Sequence, residues 1–161
     1  MAVRWAQEPD LHEIAALIRE LAAYERAPDA VVFDLEELRR HLFGPDPKAR
    51  VLLAEEGGRV VGFALFFRTF STWLGKPGIF LEDLFVRPEF RGRGHGRALL
   101  AALARLALRE GCARLEWRVL GWNESAIRFY ERLGARPLRE WITYRLEGPE
   151  LRRLGEEPDD T

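Results

Sequence analysis

The fold predicted by this sequence is a mixed α/β sandwich, with a hairpin in the middle and crossovers in the second half. Three observations carry the prediction. Helical and strand-like apolar patterns follow one another in the order β-α-α-β-β-β-α-β-α-β. Gly57-Gly58 separates two strand-like runs, which is a hairpin signal. A third strand, closed by Pro88, leads through a glycine-rich turn into a long apolar helix.

The elements are expected as follows. Val3–Trp5 opens as a short strand. Asp10 caps a helix, with Glu13 at the capping-box position and Leu11, Ile14, Leu17, Ile18 and Leu21 at helical spacing. That helix fades near Tyr24–Glu25, before Pro28. Leu35–Leu42 is a second helix, ended by Gly44, Pro45 and Pro47. Val51–Glu55 and Val60–Phe67 are the hairpin strands, and Thr69–Gly78 reads as a loop. Phe80–Val86 is the next strand. The helix from about Gly94 to Glu110 is apolar nearly all round, Leu108 included, and should be buried on more than one side. Leu115–Leu120 is a strand, and Asn123 caps a helix through about Leu133 that Gly134 ends. Trp141–Leu146 is a last strand and Glu150–Leu154 a short helix. Residues 1–155 are expected to form one domain, and 156–161 a frayed tail.

Composition bounds the function. The 161 residues are 47% hydrophobic and 32% charged, which suits a globular core rather than a disordered chain. Twenty-five basic residues against 26 acidic ones give a formal charge of −1, which argues against nucleic acid or an anionic membrane as the main partner. No apolar run approaches a membrane span, and MAVRWAQEPD has no apolar signal core. The single cysteine, Cys112, reads as a small buried hydrophobe, and a reducing cytoplasm is the expected setting. His12, His41 and His95 lack metal-ligand spacing, so no metal is expected. Arginine carries almost all the positive charge, Lys48 and Lys76 being the only lysines, and Gln7 and Asn123 are the only side-chain amides. Heat adaptation and a GC-rich genome would both give this bias. Most of Trp73, Trp117, Trp122 and Trp141 read as core, with lining of a substrate pocket as the alternative.

The chemistry is concentrated in Val86-Arg87-Pro88-Glu89-Phe90-Arg91-Gly92-Arg93-Gly94-His95-Gly96-Arg97. Gly92, Gly94 and Gly96 let the backbone approach a ligand closely, and amides at a helix start point at an anion. Arg91, Arg93 and Arg97 add positive charge. The segment reads as a pyrophosphate cradle, or more plainly as a tight turn with surface arginines. No Lys-Ser/Thr follows the glycines, so it is not a P-loop, and Arg97 stands where a dinucleotide fingerprint needs its third glycine.

Arg91-x-x-Gly94-x-Gly96, after a strand ending Val86-x-Pro88, resembles the acetyl-CoA motif of the GCN5-related N-acetyltransferases. Trp122-Asn123-Glu124-Ser125-Ala126-Ile127-Arg128-Phe129-Tyr130-Glu131-Arg132-Leu133-Gly134-Ala135 resembles that family's second signature. Glu20-Leu21-Ala22-Ala23-Tyr24-Glu25, Trp73-Leu74-Gly75-Lys76 and Phe80-Leu81-Glu82-Asp83-Leu84-Phe85-Val86 are similar to its spermidine/spermine (diamine) branch. The resemblance implies a mixed central sheet with helices on both faces and a splayed pair of parallel strands. It implies transfer of an acetyl group from acetyl-CoA, the cosubstrate, to a primary amine by direct attack, and a homodimer.

Residue roles follow from the same resemblance. The amides of Gly92, Arg93, Gly94, His95, Gly96 and Arg97, with Arg91, would hold the CoA pyrophosphate, and the His95 ring could reach the phosphates. Leu84, Phe85 and Val86 would pair with the pantetheine amides like an added strand. Asn123 and Ser125 would meet the CoA arm, although a plain N-cap explains Asn123 equally well. Tyr130 would act as general acid toward the CoA thiolate, and Glu82 would hold the acceptor amine and relay its proton. Tyr24, Glu25 and Glu116 would join Glu82 in binding the acceptor, and Glu140 would add a further carboxylate. Asp83, one residue on from Glu82, should point to the opposite face by strand alternation and serve as a structural acceptor. Ser71 stands where polyamine enzymes carry an acid, which shifts the expected acceptor toward a shorter amine or a thialysine-like amino acid.

Overall fold

A computed structural model describes residues 2–159. Residues 160 and 161 of the expected frayed tail lie outside the described residues. The chain divides after Leu120 into two compact units.

The first unit is built on a five-stranded sheet in the order β1-β2-β3-β4-β5: β1 Ala2–Trp5, β2 Arg50–Glu56, β3 Arg59–Ser71, β4 Lys76–Val86 and β5 Leu115–Trp117. All neighbours are antiparallel except β4 and β5, which are parallel, as a crossover through a helix requires. The helices of this unit are α1 Leu11–Tyr24, α2 Leu35–Phe43 and α3 His95–Arg109. The apolar stripe of α1, with Leu42 of α2, packs on Val51, Leu53, Phe63, Leu65 and Phe85, which share one face of the sheet. The alternating residues Leu52, Ala54, Ala64 and Phe66 are buried on the other face, which α3 covers. The mixed sheet with helices on both faces is therefore as expected.

Several local expectations give way to tertiary contacts. Asp10 does not cap α1. Arg4 holds both its carboxylate oxygens, at 2.8 and 2.9 Å, and its remaining bond is accepted from the Gln7 amide. The cap that does form is Asp34 on α2, which accepts from the amides of Glu36 and Glu37. The expected loop 69–78 is mostly ladder, since β3 and β4 pair as far out as Ser71 and Lys76. Gly75, at φ 62°, turns the chain there. Helix α3 is one-sided: Leu99, Leu100, Leu103 and Leu106 are buried, but Leu108 is 80% exposed. Cys112 is buried, as expected.

Strand β5 ends at Trp117 rather than Leu120, because its last ladder pair is Leu81 with Trp117. In the second unit, α4 Glu124–Arg132 and α5 Gly148–Gly155 form. The expected strand Trp141–Leu146 does not: no ladder partner is recorded for it among the described residues, and strand propensity alone does not hold a strand. Trp141, and Trp73 of the first unit, are exposed rather than core.

Candidate active site

Val86 ends β4, and one tight turn, Pro88–Phe90, leads to the glycines. Gly92 at φ 77° and Gly94 at φ 87° take the left-handed backbone that disfavours any side chain. Gly94 is the residue before α3, so the amides of His95, Gly96 and Arg97 open the helix without helical acceptors and lie at the positive end of its dipole. A Cβ on Gly92 or Gly96 would meet nothing within 4 Å. Glycine is thus not demanded there by packing within the chain, and the open space over the turn fits an approaching diphosphate.

The side chains of the turn are more committed than the sequence suggests. The Nε of Arg91 donates to the Val86 carbonyl at 2.8 Å, and its guanidinium lies 4.5 Å from the centre of the Tyr24 ring and 5.3 Å from that of Phe85. Arg93 pairs with Glu56 at 2.9 Å. The His95 ring corrects the expectation that it reaches the phosphates. It is buried at 2% exposure, with Nε2 3.3 Å from Glu56 and Nδ1 without a hydrogen-bond partner. Its backbone amide is the part that faces the turn's task. Arg97 is exposed.

Strand β4 carries the rest of the first unit's site. On its β5 side the ladder stops at Leu81, so Leu84, Phe85 and Val86 have no strand partner there among the described residues. This is the splayed edge. On its β3 side the register slips: Leu65 faces Asp83, but the next residue, Phe66, faces Leu81, and Glu82 is left over. Leu65 and Phe66 lie on opposite faces of β3, so Leu81 and Asp83 do too. Phe80, paired with Phe67, puts its face-mate Glu82 on the α1 face, and Asp83, paired with Leu65, lands on that same face. The expectation that Asp83 points away is therefore corrected, because the bulge cancels the alternation on which it rested.

Three carboxylates result on one side: Glu82 and Asp83 from β4, and Glu25 just past the end of α1. Burial, with Glu82 and then Glu25 nearby, pushes Asp83 up to about 7. Burial and Glu82 also raise Glu25. A cation stands beside them. Arg118, one residue past β5, has Nη2 3.7 Å from Glu82 Oε1 and lies 5.5 Å over the Phe80 ring. Glu116 faces Phe80 across the ladder and pairs with Arg114 at 3.4 Å. Arg87, buried, fastens β4 to α1 through Glu13 at 2.6 Å and Glu20 at 2.9 Å, and so fixes the helix whose end carries Tyr24 and Glu25.

Tyr24, Glu25, Glu82, Glu116 and the glycine turn thus belong to the first unit. Asn123, Ser125 and Tyr130 belong to the second. There the Asn123 side-chain oxygen caps α4, accepting from the Ala126 amide and the Ser125 hydroxyl, each at 3.4 Å. Tyr130 sits on α4 with its ring 5.6 Å from that of Phe129. Glu140 lies in the second unit's irregular segment. Asp83 and Arg118 join this group in the structure but not in the sequence reading. A bulge leaves no local mark in sequence, and an arginine beyond a strand end reads as ordinary surface.

Residues 4–135 match the model of the acetyltransferase (GNAT) family. The chain is 40% identical over 163 residues to a thialysine N-epsilon-acetyltransferase of Sus scrofa, covering 94% of this chain and 95% of that one. It is 39% identical over 120 residues to an L-ornithine N5-acetyltransferase of Arabidopsis thaliana, covering 74% of this chain and 50% of that one. Among solved structures, an integron cassette protein from the mobile metagenome of V. cholerae is similar at TM-score 0.81 and 28% identity, covering 97% of this chain and 98% of that one.

Proposed function

The chain belongs to the acetyltransferase (GNAT) family and is an acetyl-CoA-dependent N-acetyltransferase of small amines, and we propose from that premise how its residues divide the work. Acceptors of the thialysine, ornithine and diamine kind are the class this reading takes. The observation that carries it is the bulge at Glu82, which turns Glu82 and Asp83 to the face where Glu25 lies, where a cationic amine would be drawn in.

Acetyl-CoA supplies an activated thioester. The amides of residues 92–97 would take its diphosphate, and the open edge of Leu84–Val86 would pair with its pantetheine arm. Glu82 would hold the acceptor ammonium and accept its proton, directly or through water. The freed amine then attacks the thioester carbonyl, a C–N bond forms and the C–S bond breaks. Tyr130 would give the leaving sulfur its proton, as a phenol can, and the second proton lost by the attacking nitrogen would restore the phenol, directly or through water. No covalent enzyme intermediate is needed, so orientation supplies much of the rate. Asn123 and Ser125 would meet the CoA arm. A homodimer in the cytoplasm completes the proposal, supported by the family resemblance and the single cysteine.

Thiol release from acetyl-CoA, with amines added singly, tests this. The panel is thialysine, ornithine, putrescine, spermidine, an aminoglycoside and a short peptide. Release is expected with a small amine, and Tyr130→Phe should cut turnover roughly 10²–10⁴-fold while leaving CoA affinity in place. Tight CoA binding with no release from any amine would mark an acyl-CoA-binding module instead. Unchanged turnover in the variant would remove Tyr130 from its role.

A further inference from the structure

Arg118 is a cation set against the acidic group of the first unit, and its pairing is loose. The contact to Glu82 is 3.7 Å, with the two side chains 56% and 42% exposed. An exposed pair of this kind contributes about 0–1 kcal/mol, so it opens at little cost. The Phe80 ring under the guanidinium, at 5.5 Å, keeps it near the site when the pair opens. Among the charged groups converging here are Glu25 beyond α1, Glu82 and Asp83 on β4, and Glu116 and Arg118 at and beyond the end of β5, with Arg91 held over Tyr24 nearby.

An acceptor ammonium that takes Glu82 must displace Arg118, and what the acceptor carries at its other end then decides the energetics. A second ammonium meets a stranded guanidinium of like charge. A carboxylate meets a planar fork of donors that matches it in geometry and sign. A diamino acid keeps the α-ammonium that the diamine also carries, but its carboxylate adds a partner for Arg118, so one ion pair is exchanged for two.

Resting on the acceptor site proposed above, we infer that Arg118 is a specificity-determining residue that binds the carboxylate of an amino acid whose far terminal amine is held by Glu82, so that such amino acids are preferred over diamines of equal length. The test compares matched pairs that differ only in the carboxylate: lysine with cadaverine, ornithine with putrescine, and thialysine with bis(2-aminoethyl) sulfide. The quantity read is the ratio of kcat/KM within each pair. The parent protein should favour the amino acid in each pair. Arg118→Ala should lower the ratio roughly 10–100-fold, the size of a lost hydrogen bond between charged groups. Arg118→Lys should keep part of it, and Arg118→Glu should fall furthest. A merely structural arginine would lower both members of a pair equally. Ratios that stay put, or a parent protein that favours the diamines, overturn the inference while leaving the transferase reading intact. No acetylation of any of the six amines overturns both.

Discussion

The two edges of β4 are held in opposite ways. Toward β3 it is paired along nearly its whole length, from Lys76 to Val86, with a single slip at Glu82. Toward β5 it is paired over three residues and then stands open. In the proposed function the paired edge works through side chains, because the slip turns two consecutive acids to one face. The open edge offers its backbone, a row of amide groups for a linear ligand. On the proposed reading one strand serves two substrates because its edges are irregular in different places.

The sharpest way to break this comparison is to remove the slip. Deleting Glu82 closes the register, restores alternation and leaves the acceptor side without its paired acids. Thiol release should fall at least roughly 10³-fold, the scale at which misplaced groups forfeit orientation. Circular dichroism should still report a folded chain.

A subtler change keeps the slip and removes one charge. Asp83 holds its proton in the folded protein up to about 7, against an ordinary value of 3.8. Between those values the folded state binds more protons than the unfolded one, so stability falls as pH rises through that window. Asp83→Asn should flatten this dependence by on the order of 2 kcal/mol between pH 4 and 8, as read from urea midpoints. Glu110, held down at about 2 mainly by its hydrogen bond to Arg50, acts in the opposite sense below pH 4.5 and is common to both proteins. An unchanged pH profile would show that Asp83 is ionised like a surface acid.

The smallest effect belongs to the turn after the open edge. Gly92→Ala forces a side chain into left-handed backbone and should cost about 1 kcal/mol. It should raise KM for acetyl-CoA more than KM for the amine. Equal rises would detach the turn from the cosubstrate.

Much of this was legible in the sequence where the cause is local. The Gly57-Gly58 hairpin, the stripe on α1 and the glycine start of α3 all follow from a few neighbouring residues. Tyr24, Glu25 and Glu82 are candidate site residues through family resemblance, and the structure brings Glu25 and Glu82 together. What failed depended on distant partners. Arg4 takes Asp10 from its helix, the ladder consumes the loop 69–78, and residues 141–146 have strand composition but no recorded ladder among the described residues. The face of Asp83 depends on a register that only β3 can set, and Arg118 acquires meaning only from Glu82.

The arginine of the glycine turn has a consequence for binding order. Arg91 lies on the ring of Tyr24, at the helix end next to Glu25, while its own backbone belongs to the turn proposed to take the diphosphate. It cannot follow an anion without uncovering that ring. The free energy of filling one site therefore includes a contribution from the other, and by linkage the same factor acts in both directions. Acetyl-CoA and amine are two ligands whose affinities should be measured together, each titrated in the presence of the other.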